Sequence, residues 1–343
     1  MKILIATGIY PPDIGGPAQY ARGVEIAWKK EGHEVNVLAF RFERKLPTGI
    51  RHLYYFFRIL FSLRGVDFVF SPDTFSAAIP ALFACKLLGK KLIVRTGGDF
   101  LWEQYVERTG DLVLLRTFYA TQLAQLSVKE GIIFRLVRLL LTKADAVIFS
   151  TSWQRDIFAK PYTLDMTKCF IVENFYGTHE VTQHSNIRRN VGISEKVFVG
   201  GTRPLKWKNI SRVSQAFERV RKDGVPVSLQ METGSHGKFL SDIQDCHAVI
   251  IASLGDISPN TILDAISLGK PFILTRETGL YERLKDVAVW VNPESVADIA
   301  EKIEWLADEK NYTEQCKKVA EFSFTHSYEE IAAEVITIYR NAH

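Results

Sequence analysis

VIIASLGDISPNTILDAISLGKPFILT, residues 249–275, opens with a short apolar run, Val249 to Ala252, that suits a strand buried on both faces of a parallel sheet. A turn follows at Ser253-Leu254-Gly255-Asp256. Ser258-Pro259 then reads as the Ncap–N1 opening of a helix. Leu263, Ile266 and Leu268 give that helix an apolar face, Gly269 stops it, and Pro271 to Leu274 begins another strand. A strand, a sharp loop and a helix N-terminus in an α/β sheet form a natural phosphate site. The first turn offers backbone N–H groups and the positive end of the helix dipole. Asp256 and Asp264 stand eight residues apart, one in the loop and one about two turns into the helix. So placed, both carboxylates can accept hydrogen bonds from the hydroxyls of a sugar or ribose.

The stretch resembles the donor signature of family 4 glycosyltransferases, which have the GT-B fold. Their pair of spaced glutamates is matched in spacing by Asp256 and Asp264, and their Gly-Lys-Pro tail by Gly269-Lys270-Pro271. Both acids are shorter here by one methylene. Without the resemblance, Asp256 also reads as a turn residue and Asp264 as a solvated helix acid.

The rest of the chain bounds the possibilities. Its 343 residues suffice for two domains, with 47% hydrophobic and 24% charged residues. MKILIATG enters a strand at once, so no leader is expected, and no apolar run reaches the length of a membrane span. Cys85, Cys169, Cys246 and Cys316 show neither metal nor disulfide spacing. The expectation is a cytoplasmic enzyme. Through Phe175 there are 23 Lys and Arg against 16 Asp and Glu; beyond it the balance is 20 against 23. A basic first half fits an anionic lipid surface or a phosphorylated acceptor. No nucleic-acid motif accompanies it.

In chain order, a strand at residues 1–10 leads through Pro11-Pro12-Asp13-Ile14-Gly15-Gly16-Pro17 into an amphipathic helix over 18–30. This loop is similar to the first loop of the family, whose glycines bring backbone close to donor or acceptor; Gly15 and Gly16 are assigned there, with a plain tight turn as the alternative. RHLYYFFRILFSLRG, residues 51–65, reads as a packed helix with Arg51, Arg58 and Arg64 on its wet face, or as a membrane-surface segment. Asp99, after the strand ending near Val94, stands where many family members place a His near the transferred sugar; its alternative is an Asx turn. Residues 111–143 read as helical, with Arg135, Arg138 and Lys143 interrupting an apolar surface. Residues 176–196 read as a linker.

The second half restarts the pattern at Val197. Arg203 and Lys208 keep the five-residue spacing of the Arg and Lys that, in the family, neutralise a diphosphate leaving group without metal. No Asp-x-Asp pair suited to a divalent ion is present. Between the strand Val227–Met231 and the strand starting at His247 the chain is short by about one helix–strand unit, which in the family contacts the nucleotide base. Glu282 matches an acid of the family's later loop.

Together the resemblance implies an α/β, GT-B architecture of two Rossmann-like, doubly wound domains facing a cleft. The expected parts are 1–175 on the acceptor side, 197–325 on the donor side, and a C-terminal helix over 326–343 crossing back. The implied activity is a retaining, metal-independent glycosyltransferase that needs no cofactor. Its partners are a nucleotide-sugar donor, a glycan or lipid-linked acceptor and an anionic membrane surface, with no nucleic acid. Its residues are Arg203, Lys208, Asp256 and Asp99 at the chemistry, and Gly15, Gly16, Ile257, Ser258, Pro259, Asn260, Asp264 and Glu282 at the donor. A degenerate sugar-nucleotide-binding protein and a GT-B nucleotide-sugar epimerase are the alternatives.

Overall fold

The computed structural model describes residues 1–13, 15–177, 195–200, 204–231 and 236–342. The chain divides into two compact units. The first comprises Met1–Leu101, Gln122–Phe175 and His326–His343, the second Trp102–Thr121 and Tyr176–Thr325.

The first unit is built on β1 (Lys2–Thr7), α1 (Gly16–Lys30), β2 (Glu34–Ala39), α2 (Thr48–Ser62), β3 (Phe68–Ser71), α3 (Ala78–Leu88) and β4 (Lys91–Thr96). The chain then runs through α4 (Phe100–Thr109) and α5 (Leu115–Thr121), and returns to the first unit with α6 (Val128–Lys143), β5 (Ala146–Phe149), α7 (Ser152–Ala159) and β6 (Cys169–Ile171). Its six strands are all parallel, in the order β2-β1-β3-β4-β5-β6. β3 and β5 are buried at every position, because helices cover both faces of a parallel sheet.

The second unit contains β7 (Lys196–Val199), α8 (Ile210–Lys222), β8 (Val227–Gln230), α9 (His236–Asp245), β9 (Ala248–Ile251), α10 (Asn260–Ser267), β10 (Phe272–Thr275), α11 (Tyr281–Leu284), β11 (Val289–Val291), α12 (Val296–Ala307) and α13 (Glu309–Glu321). Its described sheet has five parallel strands in the order β11-β10-β9-β7-β8. Among the described residues, α9 is the one element between β8 and β9, a passage as short as the sequence spacing requires. Strand order therefore reverses between β7 and β9, as it does between β1 and β3 in the first unit. In open α/β sheets the carboxyl ends at such a reversal form the ligand crevice.

The last helix, α14 (Tyr328–Asn341), packs in the first unit against α1. The approach is close: a Cβ at Gly23 would lie 2.3 Å from the Tyr328 ring, and Trp28 Nε1 donates to Ala332 O at 3.1 Å. Ile331, Ala332 and Val335 complete the core formed by Ile3, Ile5, Val24 and Phe70.

Two local expectations are corrected. Residues 111–143 are not one helix. α5 ends at Thr121, and α6 starts afresh behind a capping box, in which Ser127 and Glu130 each satisfy the other's backbone N–H. The wet face of α2 is not basic either. Arg58 is turned to Glu43 and the carbonyl of Ala39, while Leu53, Phe57 and Phe61 point outward.

Candidate functional site

The crevice at the β7–β9 reversal is lined by Gly200, Lys208, Ile210, Met231 and Ser253, with the carboxyl end of β9 as its floor. The two loops that enclose it are tied together by backbone. Leu254 N–H donates to Trp207 O at 2.9 Å, so the turn after β9 is hydrogen-bonded to the turn before α8. Asn209 adds the second tie. It is 1% exposed, occupies the left-handed region at φ 62°, and its Nδ2 donates to Ala252 O and Pro293 O at 2.9 and 2.7 Å. Asparagine tolerates this backbone better than most residues.

These ties bring Lys208 and Asp256 together. Lys208 Nζ lies 2.6 Å from Asp256 Oδ2, with side-chain exposures of 16% and 11%. Ser253 Oγ donates to the same carboxylate oxygen at 3.1 Å, and the ammonium sits 4.2 Å from the centre of the Trp207 ring. The Asp256 backbone is fixed from the other side, since its N–H donates to Glu277 O and Gly279 N–H donates to Asp256 O. A half-buried cation with one carboxylate and an aromatic wall is screened little by solvent and acts strongly on an incoming anion.

At α10 Pro259 occupies the N-cap position, and it makes no side-chain cap hydrogen bond. Ser258, expected to cap, does not, and its buried Oγ has no partner among the described residues. Ile257 is buried, Asn260 is exposed, and Asp264 is 5% exposed on the second turn. Among the described residues, the start of α10 thus lacks an N-cap side-chain bond and lies beside an unpartnered hydroxyl, an arrangement that offers donors to an anion.

Segment 102–121, which chain order would place in the first domain, packs on these loops. Trp102 meets Trp207 with ring centroids 5.5 Å apart, and Leu115 N–H donates to Leu254 O at 3.1 Å. The Glu107 carboxylate accepts from Lys206 N–H at 2.6 Å. Arg116 forms a two-pronged pair with Glu277, through Nη2 at 3.0 Å and Nε at 3.2 Å. Burial pushes the Glu277 carboxyl above its ordinary value, and the Arg116 guanidinium works against that shift. Sequence spacing does not reveal this packing, because the partners of Trp102 and Leu115 lie more than a hundred residues away. The one local hint is Gly255, where a Cβ would stand 2.5 Å from Leu115 Cβ.

The other assigned residues lie elsewhere. Arg203 falls outside the described residues. Asp99 is 3% exposed, just before α4. Glu282 is exposed on α11. Gly15 and Gly16 belong to the first unit, where Gly15, at φ 149° and ψ 154°, is the N-cap of α1 and carries no side chain to cap it. That backbone is open only to glycine.

No protein-family model matches the chain, and no curated protein matches it by sequence. Solved structures do match. A sucrose-phosphate synthase from Thermosynechococcus elongatus superposes with a TM-score of 0.71 at 13% identity, covering 99% of this chain and 98% of the other. An α,α-trehalose-phosphate synthase (UDP-forming) from Burkholderia xenovorans, solved with glucose-6-phosphate, gives 0.68 at 10% identity, covering 99% and 100%. WaaG, a glycosyltransferase involved in lipopolysaccharide biosynthesis, gives 0.66 at 13% identity, with the same coverage. The chain has their fold, GT-B, with a Rossmann-like parallel sheet in each unit.

Proposed function

We propose that the chain is a glycosyltransferase that moves a sugar from a nucleotide-sugar donor to a glycan or lipid-linked acceptor, with the donor held by the second unit. The observation that carries this reading is the Lys208–Asp256 pair at the carboxyl ends of β7 and β9, next to the uncapped start of α10. The shared fold supports it. The donor diphosphate is assigned to Lys208, to Arg203 and to the N–H groups of Ile257–Asn260, with Ser258 Oγ as a further donor. Asp256 is assigned the sugar hydroxyls and Asp264 the ribose.

As the glycosidic bond breaks, negative charge grows on the leaving phosphate. Lys208, already set in a largely buried position, meets that charge without solvent reorganisation. The proposed course retains anomeric configuration. The acceptor hydroxyl attacks from the face that the phosphate leaves, and a phosphate oxygen takes its proton. No carboxylate at nucleophile distance is then required, in contrast to retaining hydrolases. Cations from the protein take the part that a metal ion would otherwise play, so transfer is expected to persist in a chelator.

Release of nucleoside diphosphate from UDP-, GDP-, ADP- and dTDP-sugars, with and without a saccharide acceptor mixture, tests the reading. One donor is expected to turn over with acceptor present, and Lys208→Ala to lose about 10²–10³-fold while keeping the wild-type circular dichroism. Full activity in Lys208→Ala would sink the assignment, and donor consumption with no acceptor would point to the epimerase alternative.

A further inference from the structure

Just beyond β10 the second unit buries a carboxylate to which the donor assignment gives no part. Glu277 is 8% exposed. A buried carboxylate is costly and persists only where it is paired, and an apolar residue in its place often serves stability as well. The backbone around it shows what it is attached to. Glu277 O accepts the Asp256 N–H at 2.9 Å, and Glu277 N–H donates to Thr275 Oγ1 at 3.1 Å. Gly279 N–H is shared between Asp256 O and Ile257 O at 3.3 and 3.1 Å, and Asp256 and Thr278 form an isolated parallel bridge. The main chain of Asp256 is thus laid against residues 277–279, and wherever that loop is held, Asp256 is held with it.

What holds the loop is α5. Leu115 and Arg116 are neighbours in its first turn. Leu115 N–H donates to Leu254 O at 3.1 Å, while Arg116 Nη2 and Nε reach Glu277 Oε1 and Oε2 at 3.0 and 3.2 Å. Two successive residues of one helix therefore grip the loops on either side of Asp256. The Arg116 side chain is 55% exposed and the Glu277 side chain only 10%. A pair half open to solvent contributes little to stability. Its two-pronged form fixes direction instead. Burial pushes the Glu277 carboxyl above its ordinary value; Arg116 works against that shift, and Glu294, from the turn after β11, adds to it.

We propose that Arg116 is a positioning residue for sugar transfer: by holding Glu277 it fixes the loop to which Asp256 is hydrogen-bonded, and so sets the Lys208–Asp256 pair where the leaving phosphate is met. The inference rests on the donor assignment under Proposed function. Loss of Arg116 leaves both members of the pair present but loosely placed, and loose placement costs rate more than it costs stability.

The test is kcat and donor KM from mildly acid to mildly basic pH, measured for wild type, Arg116→Gln, Arg116→Lys and Arg116→Gln/Glu277→Gln. Arg116→Gln is expected to lower kcat about tenfold, with a smaller change in donor KM and a melting temperature near that of wild type. The pH below which kcat falls is expected to rise in this variant, because Glu277 without its cation takes up a proton sooner. Arg116→Lys keeps the charge and is expected to return that pH to the wild-type value. It should regain only part of kcat, since an ammonium cannot make the two-pronged contact. Arg116→Gln/Glu277→Gln, with nothing left to titrate at this position, should lose the acid-side shift. Wild-type kcat in Arg116→Gln, or an unmoved pH profile, would overturn the inference. If Arg116→Gln does not fold, wild-type kcat in Arg116→Lys would overturn it. Either result leaves the transferase reading standing, whereas a wild type that consumes no donor removes both.

Discussion

Asn209 holds two carbonyls, Ala252 O and Pro293 O, from a left-handed backbone position in the interior of the second unit. Alanine there would leave both carbonyls unsatisfied and place a less tolerant residue at positive φ. A loss of about 2–4 kcal/mol in urea unfolding is expected, with glycine recovering the backbone part alone. Equal stability of the alanine and wild-type proteins would show that these bonds are not formed. His247 offers a second test at this scale. It is stacked on Tyr312 with centroids 4.1 Å apart and shares a hydrogen bond with Leu306 O. Burial holds its pKa below the ordinary 6.5. A base depressed in the folded state binds fewer protons there than in the unfolded chain. Stability is therefore full above 6.5 and falls as pH drops through that value toward the folded pKa. The urea midpoint is expected to fall on that acid side in wild type and to fall less in His247→Phe; parallel curves would contradict this. Asp256 and Asp264 share one short motif and Lys208 belongs to another, so each could be singled out locally, whereas the pairing of Lys208 with Asp256 joins residues 48 positions apart. Asn209 could not be singled out, because nothing nearby in the chain marks which carbonyls it will reach.

α4 and α5 illustrate what element-level reading misses. Their apolar residues announce a buried face, but sequence spacing alone cannot say which core receives it. Chain order favours the sheet just completed, whereas Trp102, Leu115 and Phe118 are buried in the second unit. The join is tight at Gly255. Gly255→Ala would push Leu115 outward and loosen the turn that carries Asp256. Overpacking of this kind costs about 1–3 kcal/mol, and the donor KM is expected to rise by more than kcat falls. Shortening the opposing side chain in Gly255→Ala/Leu115→Ala should restore part of the stability. A neutral Gly255→Ala would show that α5 does not press on this turn. The capping box at Ser127 was equally readable in principle, since Ser-x-x-Glu stands directly before the apolar run of α6.

At the scale of the whole molecule, alternation of apolar runs with helix patterns made the two parallel sheets legible, because a βαβ chain writes each strand as a bounded hydrophobic segment. The short passage from β8 to β9 was legible by length alone. Less legible was the outward stripe of α2. A helix with apolar residues on both sides reads as buried, and only its place at the edge of a layered fold shows that one side faces solvent. The most direct test is ligand-detected NMR with UDP-, GDP-, ADP- and dTDP-sugars on wild type and Lys208→Ala. Wild type should bind one of the donors, and the variant should bind it at least about tenfold more weakly, the equivalent of ~1.4 kcal/mol. Absence of binding to every donor, or equal binding by a folded Lys208→Ala protein, would contradict a donor site at the ends of β7 and β9.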